Sequence, residues 1–152
     1  MAGNTNGIAD GIVTLLQGLQ YQSANLYTIA KKGSMQDPTD SLNYAAVTFA
    51  EGIAKHYTSG GKIDDQPVFQ VESGFAFLDA TAAETLLLNA RDIVLNLFLS
   101  RVYLGSVPGV YLALVGEQAD RGQYKVYPNG NIYRVHLCYV QARQMYNVTI
   151  DR

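Results

Sequence analysis

In the stretch YPNGNIYRVHLCYV, His136 and the chain's one cysteine, Cys138, stand two residues apart on the same side of an extended segment. At that spacing an imidazole and a thiolate can reach a single metal ion if two further ligands arrive from elsewhere, for instance His56 or Asp64. No recognised ligand spacing supplies them, so no metal site is assigned. A nucleophile pair fails as well, because side chains on alternate strand residues project in parallel and no third residue is placed to orient the histidine. The two read as an outer-face histidine beside an inert, half-buried thiol.

Asp64, Asp65 and Glu72 suggest the carboxylates of a metal-dependent nuclease. That chemistry wants a lysine beside the second acid to steady the attacking water, and VESG has none, which leaves a turn and a strand edge. TSGGK has the glycines and lysine of a phosphate loop but lacks its first glycine, the Ser/Thr after the lysine and the preceding strand, so it reads as a flexible loop. Glu117, Asp120 and Arg121 cluster around Gly116 and Gly122 as a solvated charged loop, a place where partners can bind. No catalytic residue and no cofactor site results.

The elements that would position these groups must come from a chain of 152 residues, the size of one domain with one core. Apolar residues make up 48% and charged ones 16%, against about 25% charged in an average soluble domain. A surface this short of charge points to burial in an assembly. The 11 tyrosines suit half-buried strands and subunit interfaces. A formal charge of −2 argues against a protein built to grip phosphates. A single cysteine is expected in a reducing compartment. The start MAGNTNGIADG has no basic leader region, and the apolar segment 81–104 is interrupted by Glu84, Asn89, Arg91, Asp92 and Asn96, so a soluble intracellular product is expected.

Ile8, Ile12, Leu15, Leu16 and Leu19 form one helical stripe, predicting a short amphipathic helix over 7–19. NLYTIAKK reads as extended and KGSMQDPTD as a loop. Residues 42–57 fit both periods: Leu42, Ala45, Ala46, Phe49, Ala50, Ile53, Ala54 and Tyr57 make a helical stripe, while Ala45, Val47 and Phe49 alternate as a strand would, and local pattern favours the helix slightly. QPVFQVESGFAFLD is a predicted strand, with Gly74 suggesting a bulge. Thr81 and Glu84 have the spacing of a capping box, opening a long helix whose apolar face Leu88, Leu95 and Leu99 widen, so that it must be largely buried. After Pro108, GVYLALVG is a strand. Asn129-Gly130 predicts a type I′ turn into NIYRVHLCYV, with Tyr133, Val135, Leu137 and Tyr139 facing the helices and Arg134 and His136 on the opposite face.

The fold class is therefore α+β: a mixed, mainly antiparallel sheet with a short N-terminal helix and one long central helix packed on one face, as a single domain over 1–152. That order of GIADGIVTLLQGL, YAAVTFAEG, PVFQVESGFAF, ATAAETLLLNARDIVLNLFL and GNIYRVHLCYVQAR resembles the tail terminator proteins of long-tailed bacteriophages. The resemblance covers nearly the whole chain, rests on layout, and implies that YAAVTFA is a strand. It further implies a virion protein assembled in the host cytoplasm, forming a homohexameric ring that caps the tail tube, stops its growth and joins the head completion or stopper protein. DNA would pass through the lumen without sequence-specific binding, and no membrane is involved. Arg134, His136, Glu117, Asp120 and Arg121 are then the candidate interface residues. Another neck component, such as a head-tail adaptor or completion protein, is the alternative. A small α+β enzyme or nucleic-acid-binding domain would need convergent polar groups in one pocket.

Overall fold

The computed structural model describes residues 3–38, 42–57, 61–77, 79–99, 102–104, 107, 109–119 and 124–147; the side chains of 54–57, 102 and 118–119 lie outside that description. Helix α1 spans Thr5–Gln17 and buries Ile8, Ile12 and Leu16, the expected stripe. It starts earlier than the apolar pattern predicts because Asn4 caps it, its side-chain oxygen accepting from the Gly7 N–H at 2.9 Å. A small hairpin of β1 (Gln20–Tyr21) and β2 (Ala24–Asn25) leads into β3 (Ile29–Lys32). Then come β4 (Tyr44–Tyr57), β5 (Lys62–Ala76), α2 (Ala80–Leu99), β6 (Val102–Tyr103), β7 (Tyr111–Ala119), β8 (Lys125–Val126) and β9 (Ile132–Asn147).

The main sheet has seven strands in the order β3-β4-β5-β9-β7-β6, with β8 also paired to β9. Among the described residues only the β3–β4 pair is parallel. Both helices cover the same face, where Ile12 and Leu16 of α1 and Leu87, Val94 and Phe98 of α2 join Val47, Phe69, Val71, Cys138 and Val140 of the sheet in one core. The α+β architecture expected from the sequence is the one observed.

Residues 44–57 are strand, not helix. Tyr44, Ala45, Ala46 and Val47 are all buried, since both faces of the sheet are covered there, and a strand buried on both faces loses its polar alternation. A bulge between Phe49 and Glu51 then inserts one residue and shifts the phase of the strand beyond it. An alanine-rich run with such a shift satisfies a 3.6-residue template by accident, and pairing with β5 over nearly its whole length overrides it.

Gly74 makes no bulge, because β5 keeps one register with β9 from Lys62 to Ala76. It is glycine for a different reason: a Cβ there would fall inside the buried Tyr44 ring. Helix α2 is capped by Asp79, not by Thr81. The Asp79 carbonyl accepts from the Ala83 N–H at 2.9 Å and its carboxylate from the Thr81 N–H at 3.3 Å, which frees Glu84 for another role. The helix buries one face only; Leu95 is covered, but Leu88 and Leu99 are exposed. At the hairpin, Gly130 alone takes positive φ (87°), its N–H reaches the Tyr127 carbonyl, and the Tyr127 N–H reaches the Asn131 carbonyl. This is a three-residue loop through Pro128, Asn129 and Gly130 instead of the type I′ turn, which needs two positive φ values. The Asn129 and Asn131 amides both donate to the Pro38 carbonyl, at 3.1 and 2.7 Å, fastening the 33–38 loop to the hairpin.

Candidate functional site

Alternation along β9 sends Arg134, His136, Cys138, Val140 and Ala142 toward the helices and Tyr133, Val135, Leu137 and Tyr139 away from them. This reverses the face assignment that the sequence predicts. Tyr133 and Val135 are not short of cover, because Met35, Tyr44 and Tyr127 pack on them in a second, smaller core on the far side of the sheet. Arg134 and His136 are 6% and 3% exposed, and as single side chains they present no outer interface.

Their charges are met from α2 and β7. Arg134 Nε donates to Glu84 Oε2 at 3.0 Å. His136 Nε2 lies 2.9 Å from Glu117 Oε2, and Glu117 in turn is gripped by Arg91 through two guanidinium nitrogens. The Arg91 hydrogen bonds, helped by His136, hold the Glu117 carboxyl below its usual value. Glu117 therefore belongs to a strand and ties β7 to α2, while Asp120 and Arg121, expected beside it, lie outside the described residues. Glu84 and Arg91 are seven residues apart, two turns along one helix face, and Arg134 and His136 are two apart on one strand face. That pairing of spacings is the available signal, and assigning Glu84 to a capping box hides it.

Cys138 is fully buried between His136 and Val140, and burial pushes its thiol up to about 12, which keeps it protonated at neutral pH. Asp64 is neither in a turn nor at an edge. It sits buried in β5, clamped by Arg143 at 2.9 and 2.8 Å, while Asp65, on the helix face, accepts from Gln144 at 2.7 Å. Glu72 accepts from the Tyr44 hydroxyl at 2.9 Å and pairs with Lys125 at 3.3 Å, so it pins the β8 hairpin over the sheet. Tyr44 and Tyr127 share a hydrogen bond in the same cluster. Of TSGGK, residues 58–60 lie outside the described residues, and Gly61 has φ 64° just before β5. The His56 side chain is likewise outside them. Among the described residues no three His, Cys, Asp or Glu side chains come together as metal ligands, and no helix is long and apolar enough to cross a membrane.

Among the described residues nothing covers the far half of the sheet face opposite the helices. Beyond the cover of Tyr44, Tyr127 and Met35 it presents Thr48, Gln66, Gln70, Tyr139 and Gln141, each partly buried, with Gln141 donating to Gln66 at 3.3 Å. A depression of about 460 Å³ crosses it, lined by Ala50, Glu51, Val68, Val115, Gly116 and Tyr139. Bulges on β4 and β7 stand at its two ends. The lining carries one carboxylate and no convergent set of donors, which suits a contact surface and not a substrate pocket.

Fold and surface together define an α+β protein whose helices cover one face of the sheet, with half of the other bare among the described residues. No family model matches the chain, and no curated protein matches it.

Proposed function

We propose that the chain is a structural subunit of a phage tail, a terminator that assembles into a ring, caps the tail tube and joins it to the head. The observation that carries this reading is the bare sheet face rich in glutamine. A lumen through which DNA slides must be polar enough to stay wet, yet must not hold phosphates, and counterion-releasing contacts from Lys or Arg are what would hold them. On this face Arg143 is neutralised by Asp64 and Lys125 by Glu72, Lys62 stands exposed at the end of β5, and the central polar groups are mostly amides and hydroxyls. The low charge content and abundant tyrosine support assembly independently. The resemblance of layout supplies the particular place in the virion.

Native mass spectrometry with electron microscopy tests it. The expected result is a closed ring of one subunit number, hexameric by the resemblance, which halts elongation when added to a polymerising tail tube protein. A monomer at every concentration, or tubes that elongate unchanged, would overturn the reading.

A further inference from the structure

Both borders of the main sheet are left incomplete. Strand β3 covers β4 only from Tyr44 to Val47, and β6 covers β7 only at Tyr111 and Leu112. Among the described residues no strand pairs with the outer edge of β4 from Thr48 to Tyr57, or of β7 from Ala113 to Ala119. Backbone N–H and C=O groups along such edges are templates for another strand, and folded proteins usually guard them with charge or proline. Here neither free stretch contains proline, the charges are Glu51 and Lys55 on β4 and Glu117, which Arg91 and His136 engage, on β7, and Phe49, Ile53 and Val115 are 60%, 54% and 52% exposed. Each edge has a bulge near the end of its cover, but Glu51–Tyr57 and Gly116–Ala119 beyond the bulges are regular.

We infer that these two edges pair with each other between copies, β7 of one subunit against β4 of the next. Three features fit a second copy of this chain as the occupant. From β4 to β5, β9 and β7 every step is antiparallel, so β4 and β7 run in opposite directions. Copies related by rotation about a ring axis keep their strand directions along it, and the new junction is therefore antiparallel like the rest. The contact joins two different edges, which makes it head-to-tail, the kind that closes rings.

The third feature is the offset of the two free stretches. Val47 is level with Val71, Cys138 and Glu117, so the part of β4 hidden by β3 lies opposite the open part of β7. Glu51 is level with Val68, Gln141 and Ala113, so the open part of β4 begins where the cover of β7 is about to start. The gaps are diagonal across the sheet. A sheet closing on itself needs tilted strands and just such a stagger at each junction.

This contact rests on the ring reading, and cysteine cross-linking separates the two. Cysteines are placed singly at Thr48, Glu51 or Ile53 on β4 and at Ala113 or Val115 on β7, and each β4 variant is mixed with each β7 variant under copper–phenanthroline oxidation. Native Cys138 is fully buried and does not compete. The expected result is a disulfide dimer in at least one mixture and none in the parent single variants, with Ile53→Lys or Val115→Lys abolishing assembly while the subunit keeps the wild-type circular dichroism spectrum and cooperative melting. Rings without any β4–β7 cross-link across the scan would overturn the edge contact and leave the ring standing. Cross-linking of single variants alone would overturn it in favour of a two-fold contact. Monomers throughout would overturn both.

Discussion

At Gly74 the missing side chain makes room for Tyr44, whose ring is fully buried against Tyr127 and Tyr133 and whose hydroxyl meets Glu72. Gly74→Ala must push that ring into an already filled cluster, and the expected cost is about 1–3 kcal/mol in a urea melt. An unchanged midpoint would mean that the ring gives way freely. A second residue-scale effect is read through pH. Glu117 is held below the usual carboxylate value of 4.5, first by Arg91 and then by His136. A depressed folded-state value contributes stability above the unfolded value and loses it as pH falls through the folded one. Glu117→Gln should therefore melt below wild type near neutral pH, and the gap should close as the pH drops below about 4.5. A constant gap would show that Glu117 contributes through packing alone. Neither residue's part was legible from sequence. Gly74 signals a bulge and a close approach equally well, and Glu117 sits in a run of Gly116, Gln118, Asp120, Arg121 and Gly122 that mimics a loop.

Helix α2 was legible because its stripe is long and its neighbours unambiguous. Leu87 is buried between the helix and the sheet while Leu88 is 52% exposed, so the two leucines form an internal control. Leu87→Ala should cost about 2–4 kcal/mol, and Leu88→Ala should stay within about 0.5 kcal/mol. Equal losses would mean that α2 is covered on the outside too. Ile93 is only partly buried, and its truncation belongs between these limits. Strand β4 was not legible for a physical reason: its first half is buried on both faces, its second is shifted by the Phe49/Glu51 bulge, and only the pairing with β5 decides its state. On β9, apolar uniformity points to the wrong face as the helix side. The sheet has two cores, and the helix side takes an arginine and a histidine because α2 and β7 bring Glu84 and Glu117 to meet them. Apart from β4, the main elements and their order could thus be read ahead of the structure, whereas which face of β9 met the helices could not.

On the scale of the whole molecule, the low charge count and the position of the few charges lead to the same expectation. The strong pairs, Arg134 with Glu84, Arg91 with Glu117 and Arg143 with Asp64, are all within the subunit. Among the described residues, a neighbour meets backbone along two edges and exposed apolar side chains such as Phe49, Ile53 and Val115, with Glu51 the exposed charge among them. Screening cuts exposed charge–charge attraction to within about 3 Å at 1 M salt, yet it leaves strand hydrogen bonds and apolar burial intact, and excluded salts such as sulfate strengthen the latter. Assembly should therefore survive about 1 M sodium chloride in sedimentation velocity and move to lower protein concentration in ammonium sulfate. Retention of duplex DNA by the same particles should be weak even at low salt, because Arg143 on the bare face is already paired with Asp64. If particles fall apart in sodium chloride, charged rims hold the subunits together and the strand edges do not. If duplex DNA binds tightly and is released steeply by salt, the bare face cannot be a passive lumen lining.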